Sequence, residues 1–120
     1  MKQETTLTLS VNGTPLDVSW EQNATVDELR AYAQNETIRV ETERFGGFEQ
    51  VGALPQAFTS SDVQLTTAPG DLVLYSDDQI VLFFGSNTWS YTRLGHIEGL
   101  SEQELADLLG GETAVVELQG

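Results

Sequence analysis

A chain of 120 residues is long enough for one domain that buries roughly two thirds of the surface its unfolded chain exposes. Its hydrophobic content of 39% excludes a wholly disordered protein. The 19 acidic residues against 5 basic ones give a formal net charge of −14. This charge argues against binding to nucleic acid or to an anionic membrane. It favours cationic partners or simply solubility, and a solvated acidic surface is the simpler interpretation.

Cysteine is absent, and the chain has one histidine, His96. These counts exclude a disulfide framework, a thiolate metal site and a cysteine nucleophile, and one histidine alone cannot build a multi-histidine centre. We therefore expect no metal and no cofactor. The amino terminus shows no apolar stretch before a cleavage site, and no apolar run has the length of a membrane helix. A cytoplasmic protein is the expectation.

The first predicted element is a β-hairpin. Apolar and polar residues alternate over residues 6–11, and Asn12-Gly13 is typical of a two-residue hairpin turn. The return strand is predicted over residues 14–20. The side chains expected on the inner face are Leu7, Leu9, Val11, Leu16, Val18 and Trp20.

Two capping boxes predict two short helices. The first has Thr25 as the expected N-cap and Glu28 three residues later, and predicts a helix over about residues 25–34. The second begins at Ser101, and its helix is predicted over residues 101–109. Gly110-Gly111 follows and favours a left-handed cap at its end.

The stretch from residue 69 to residue 97 predicts the middle of the sheet. Two apolar runs, residues 72–75 and 80–84, are separated by a polar turn, and a third strand follows. Residues 80–84 do not alternate between apolar and polar, which indicates burial on both faces. We expect this strand to form a barrel wall with a helix packed outside it.

Further strands are predicted over residues 37–43 and 113–119, with a short one near Val63 and Leu65, and residues 51–54 lead from a bend into Pro55. Many short strands with two isolated helices predict a mainly β protein. The predicted architecture is a closed or nearly closed β-barrel whose open ends are covered by the helices. We expect one domain spanning residues 1–120.

Three segments in this order carry a family resemblance: PGDLVLY at residues 69–75, LFFG at 82–85 and WSYTRLGHI at 89–97. Together they resemble a family of small bacterial and archaeal cyclophilin-like proteins, which have the cyclophilin barrel without an established function. The resemblance implies a cyclophilin-like closed β-barrel with two short capping helices.

A resemblance to the peptidyl-prolyl isomerases themselves is weaker. Gln79 is similar to the glutamine that opens a Gln-Phe-Phe strand in that family, and Phe83 or Val81 occupies the position of its hydrophobic pocket. The family's Pro-Gly-Phe is replaced by two glycines before Phe48. Arg44 precedes that phenylalanine by four residues where the family has an arginine five residues ahead. Tyr91 stands where the family has its active-site histidine. The isomerase residues are therefore largely missing.

The residues favour a non-catalytic module that binds a peptide or a small molecule. Trp89, Tyr91 and Arg93 alternate along one strand and so share a face, and Tyr75 and Phe83 are expected nearby. Amphipathic side chains of these types are enriched at binding sites. The same stripe is equally compatible with an outer-face cluster against a helix or with a homodimer contact.

The alternative function is weak peptidyl-prolyl isomerase activity. Arg44 or Arg39 would be the cationic donor near the prolyl nitrogen, with Phe48 in the pocket and Gln79 beside it. A third possibility is a structural or oligomerisation domain without a ligand. His96 is expected to be a surface or turn residue.

The excess of acidic residues predicts that salt stabilises the protein. Carboxylates crowded on a small surface repel one another, and screening shortens that repulsion from about 10 Å at 0.1 M salt to a few Å near 1 M. The four arginines could form ion pairs that salt weakens, but exposed pairs contribute under about 1 kcal/mol each. We expect the melting temperature to rise between low salt and roughly 0.5 M sodium chloride. A flat or falling melting temperature in differential scanning fluorimetry would contradict this.

Overall fold

The computed structural model of the protein describes residues 7–120. The predicted start of the first strand at Thr6 lies outside this range. Within it there are nine β-strands and two α-helices. In chain order they are β1 (Thr8–Val11), β2 (Thr14–Trp20), α1 (Ala24–Asn35), β3 (Ile38–Phe45), β4 (Glu49–Ala53), β5 (Val63–Thr66), β6 (Asp71–Tyr75), β7 (Gln79–Phe83), β8 (Thr88–Glu98), α2 (Glu102–Leu109) and β9 (Thr113–Gln119).

Eight of these strands close into an antiparallel barrel in the order β2-β1-β9-β3-β4-β7-β6-β8. The barrel is closed by β8, whose second half pairs with β2. The first half of β8 extends beyond the barrel and pairs with the short β5, from Val63 opposite Tyr91 to Thr66 opposite Thr88. The predictions of a mainly β fold, a closed barrel and two helices are confirmed.

The opening hairpin is confirmed with its turn. Asn12 and Gly13 have φ values of 51° and 83°, the left-handed pair that a type I′ turn requires. Leu9 lies opposite Leu16, so the alternation seen in the sequence places both on the interior side of the barrel.

The N-cap predicted for α1 is wrong by two residues. The Asn23 side chain accepts the Val26 N–H at 2.9 Å and caps the helix. Thr25 lies in the first turn, and its hydroxyl donates to the Thr59 carbonyl. Glu28 accepts the Thr59 N–H instead of closing a capping box. Asparagine and threonine are both good N-caps, and the local sequence could not choose between them.

The capping box of α2 is confirmed. Ser101 Oγ accepts the Glu104 N–H at 3.1 Å, and Glu104 Oε1 accepts the Ser101 N–H at 2.8 Å. The left-handed cap expected at the other end of α2 is wrong, because Gly110 has a φ of −79° and Gly111 has no positive φ.

The barrel interior holds the main hydrophobic core, and the helices complete it. Val26 and Leu29 of α1 and Leu105 and Leu109 of α2 are buried in the same cluster as the inward side chains of the strands. The helices therefore cover the ends of the barrel, and the expectation of a helix packed outside β7 is wrong.

The predicted burial of β7 on both faces is confirmed. Ile80 and Leu82 point into the barrel, while Val81 and Phe83 point outwards, and each is at most 1% exposed. The outward side chains pack in a second cluster with Val73 and Tyr91, flanked by the partly buried Phe48, Val51 and Leu65. Strands β4, β5 and β8 and the turn before β4 thus cover the outer face.

A buried glutamine ties α2 to the barrel. Gln50 is fully buried, and its Nε2 donates to the carbonyl oxygens of Leu109 and Gly111, both at 2.7 Å. Its Oε1 lies 2.9 Å from the hydroxyl of Thr42. This side chain satisfies the Leu109 carbonyl, one of those at the end of α2 without an intrahelical partner, and the Gly111 carbonyl just beyond the helix.

We expect Gln50→Leu to destabilise the protein by about 3 kcal/mol, because the buried carbonyl of Leu109 and the partly buried carbonyl of Gly111 both lose their donor. Urea unfolding followed by circular dichroism measures the difference. Gln64→Leu, an exposed position on β5, is the matched control and should change the free energy of unfolding by less than about 0.5 kcal/mol. Equal effects of the two substitutions would show that the Gln50 hydrogen bonds are unimportant.

Candidate functional site

A cleft of about 250 Å³ opens on the outer face of the barrel, beside the second hydrophobic cluster. It lies between the β3–β4 hairpin, the β6–β7 hairpin and the first half of β8. The residues that line it are Phe45, Glu49, Val51, Tyr75, Gln79, Asn87, Trp89 and Tyr91.

Strand alternation and register bring these side chains together. On β4, Glu49 and Val51 face outwards, while Gln50 between them faces the barrel interior. Phe45 lies directly opposite Glu49 on the neighbouring strand. Tyr75 and Gln79 face each other at the end of the β6–β7 hairpin, so they enter the cleft from the other side.

Three aromatic side chains of the cleft are unusually exposed. The exposed fractions are 65% for Phe45, 58% for Trp89 and 36% for Tyr75. The residues that the structure describes include four exposed large hydrophobic side chains, and the fourth is Val63 on β5. Three of the four therefore line one cleft, whereas isolated exposed hydrophobic residues are ordinarily scattered.

Tyr91 forms the floor of the cleft. It is 3% exposed, and its ring lies 5.6 Å from that of Phe83 and 6.1 Å from that of Tyr75, both edge to face. Its hydroxyl accepts the Asn87 side-chain N–H at 2.8 Å. Burial raises the pKa of Tyr91, so this hydroxyl stays protonated at neutral pH.

Glu49 is the buried carboxylic acid of the cleft. It is 6% exposed, and burial raises its pKa from 4.5 to about 7. No side chain or backbone N–H within residues 7–120 donates a hydrogen bond or a salt bridge to its carboxyl group. The negative charge of Glu49 contributes to the raised pKa of Tyr91, which shows that the two groups are close.

Sequence reasoning missed four residues of the cleft: Phe45, Glu49, Val51 and Asn87. Glu49 is one acid among 19, and its burial follows from pairing with Phe83 of β7, a contact between distant parts of the chain. The available signal was the alternation from Phe45 through Val51, which places Glu49 and Val51 on one face. The turn at residues 46–48 separates Phe45 from Glu49 and interrupts this alternation in the sequence.

Of the three side chains predicted to form one stripe, Trp89, Tyr91 and Arg93, two line the cleft and one does not. The first two line the cleft, whereas the Arg93 guanidinium lies 3.1 Å from a carboxylate oxygen of Asp71. The other oxygen of Asp71 lies 2.8 Å from Nδ1 of His96. His96 belongs to β8 and not to a turn, and its side chain is within hydrogen-bond distance of Asp71.

The remaining predicted residues lie in different places. Phe83 is fully buried behind Tyr91, and Phe48 packs against the outer cluster. Of the four isomerase candidates, Gln79 alone lines the cleft. Arg44 donates to the Gly110 carbonyl at 3.0 Å near the end of α2, and Arg39 lies 3.7 Å from Glu41 on the exposed side of β3.

We expect Glu49→Gln to stabilise the protein at pH 8 and to have little effect near pH 4.5. The raised pKa means that the folded state binds more protons than the unfolded state between pH 4.5 and about 7, so stability falls as the pH rises through that range. Glutamine mimics the protonated acid and should remove this loss, raising the melting temperature at pH 8 by roughly 5 °C or more.

Melting curves of Glu49→Gln and of the unsubstituted protein, recorded between pH 4.5 and 8, measure the difference in melting temperature. The control is Glu36→Gln, which removes the same charge at an exposed position beyond α1. A constant difference in melting temperature between Glu49→Gln and the unsubstituted protein at all pH values would contradict the assignment.

A metal-binding cluster and a membrane-spanning helix are both absent from the part of the chain that the structure describes. In residues 7–120 no three acidic or histidine side chains are grouped so that they could hold a metal ion. The same range contains no helix with the length and apolar character needed to cross a membrane.

Comparison with known proteins gives one finding. No curated protein and no solved structure matches the chain. The model of a family described as the Cyclophilin-like family matches residues 9–119, which includes every strand of the barrel except the first residue of β1. The resemblance seen in the sequence is thereby confirmed, and the chain belongs to the Cyclophilin-like family.

Proposed function

We propose that the protein is a binding module without catalytic activity, and that its cleft takes a small organic molecule or one side chain of a peptide. The observation that carries this proposal is the convergence of Phe45, Tyr75 and Trp89. Three large rings exposed around one concavity keep apolar surface in contact with water that a ligand would release.

The dimensions support a small ligand. Pockets for drug-sized molecules usually have volumes of about 300–1,000 Å³. At about 250 Å³ the cleft fits a single ring or a branched head group. Its floor is held by the Tyr91–Asn87 hydrogen bond and by packing on Phe83, so the site is formed before a ligand arrives.

The positions of the arginines favour binding over prolyl isomerisation. An isomerase needs a cationic donor close to the apolar pocket, because protonation or hydrogen bonding at the prolyl nitrogen weakens the amide resonance. Arg44 and Arg39 are engaged elsewhere, and among the described residues that line the cleft none is cationic. We therefore keep isomerase activity as the alternative that the experiment must exclude.

We expect Trp89→Ala to abolish, or to weaken at least tenfold, the binding of ligands found by screening the protein with Ala-Xaa-Pro-Ala tetrapeptides and a fragment library. Loss of a central aromatic anchor commonly costs 2 kcal/mol or about thirtyfold. Nuclear magnetic resonance (NMR) titration follows the side-chain N–H of Asn87, which donates to the Tyr91 hydroxyl at the floor of the cleft and is present in both proteins. In the unsubstituted protein the indole N–H of Trp89 is followed as well, and that of Trp20, which donates to the Leu7 carbonyl, is an internal reference.

Val63→Ala is the matched control, since Val63 is also 58% exposed but does not line the cleft. Ligands that bind equally to the Trp89→Ala protein would place the site elsewhere. A screen without any ligand would favour a structural or oligomerisation domain. Acceleration of proline-peptide isomerisation in a protease-coupled assay, lost on Arg44→Ala or Arg39→Ala, would favour the isomerase.

A further inference from the structure

The side chains that line the cleft restrict the class of ligand more than its volume does. The inference of a ligand class rests on the proposed binding function. We propose that the cleft recognises a methylated ammonium head group, with Glu49 as its counter-ion and with Phe45, Tyr75, Tyr91 and Trp89 as an aromatic cage. The ligand would be a quaternary or similarly alkylated ammonium ion, either free or on a side chain.

The first argument is the unpaired carboxyl group. A buried carboxylate normally has hydrogen bonds or a cation, because removing its charge from water is costly. Elsewhere in the described part of the chain this rule holds, since Asp71 meets Arg93, His96 and the Ala68 N–H. Glu49 lies in the cleft wall with no such partner among residues 7–120, and its carboxyl oxygens meet only the cleft, so a cation entering the cleft would supply the missing interaction.

The second argument is the nature of the walls. Aromatic faces carry a negative quadrupole and attract cations, and several rings around one point form the cage that binds methylated ammonium ions. Four of the eight lining residues are aromatic, and the other uncharged ones are Val51, Gln79 and Asn87. A methylated ammonium is weakly hydrated and apolar on its surface, so it suits rings better than a metal ion or a primary amine does.

The third argument is charge complementarity over the whole molecule. Among the described residues that line the cleft, Glu49 alone is charged, and the formal net charge of the chain is −14. The surrounding field attracts cations to the surface and repels anions. A carboxylate or phosphate ligand would meet Glu49 with no described cationic side chain on the lining.

A second copy of this chain is a poorer occupant. In a two-fold symmetric contact the same patch faces itself, so two Glu49 carboxyl groups would approach each other near the axis. Two chains of charge −14 also repel each other at low salt. The aromatic patch on its own would tolerate a dimer, whereas its buried acid opposes one.

The test uses choline and its uncharged carbon isostere, 3,3-dimethylbutan-1-ol, which have the same shape apart from the charge. Each is titrated into the full chain at pH 8 and constant ionic strength, and the NMR shift of the Trp89 indole N–H is followed. We expect choline to bind at least tenfold more tightly than the isostere. Glu49→Gln should remove that preference, and the exposed Glu36→Gln control should retain it.

Two further arms sharpen the assignment. Choline affinity should increase between pH 6 and pH 8 as Glu49 loses its proton, and it should be independent of pH in Glu49→Gln. The other titratable groups that line the cleft are Tyr75 and Tyr91, and burial holds the pKa of Tyr91 above its usual value. N-acetyl-trimethyllysine methylamide should bind more tightly than its unmethylated form; tighter binding than choline would assign the head group to a side chain.

The outcomes separate this inference from the proposed function. Equal binding of choline and its isostere would overturn the inference, as would binding unchanged by Glu49→Gln. If fragments or peptides still bind through Trp89, the binding function stands and the ligand class is different. If nothing perturbs the Trp89 signal, both fail. A dimer in sedimentation velocity that Trp89→Ala converts to monomers would assign the patch to self-association.

Discussion

The structure depends on covering both faces of β7. Its inward side chains fill the barrel, as any barrel strand's would, but Val81 and Phe83 add an apolar outer face. The two helices cannot cover it, because both are used at the barrel ends. The cover instead comes from Tyr91 on the extended half of β8, from Leu65 on β5 and from Phe48. The cleft is the point where this cover stops, which is why it has aromatic walls.

Two adjacent residues of β4, Glu49 and Gln50, are both buried and polar but differ in their hydrogen bonding. Gln50 faces the interior, and its amide nitrogen and oxygen both have partners. Glu49 faces outwards, is nearly as inaccessible, and has a carboxyl group without a partner in the described chain. A satisfied buried amide contributes to folding, whereas an unsatisfied acid opposes it. This contrast is the reason that the proposed counter-ion is Glu49, whereas Gln50 is assigned to the stability of the fold.

Local signals in the sequence predicted the local features of the fold. Asn12-Gly13 and the Ser101 capping box depend on neighbouring residues, and both are confirmed. The prediction of the N-cap of α1 was wrong because Asn23 and Thr25 are both suitable N-cap residues, and Asn23 takes this position. Features that depend on strands far apart in the chain could not be predicted from local signals. One example is the register of β8 against β6, which shifts between Leu72 and Val73.

The candidate site was only half visible for the same reason. Trp89, Tyr91 and Tyr75 could be grouped by strand alternation and by the chemistry of their side chains, and all three line the cleft. Arg93 has the right spacing, but its guanidinium is held by Asp71, a pairing that no local pattern reveals. The burial of Glu49 required knowing that the β3–β4 hairpin lies against β7.

The acidic surface and the buried acid have different consequences for a cationic ligand. Exposed carboxylates act through water, where two unit charges 4 Å apart interact with about 1 kcal/mol, and salt screens them. Such charges raise the local concentration of every cation alike. Glu49 acts from a site with a lower effective dielectric, where the same pair interacts several times more strongly. For the proposed ligand, discrimination would therefore arise in the cleft, where the aromatic rings disfavour strongly hydrated ions and the Glu49 carboxylate favours a cation over a neutral molecule of the same shape.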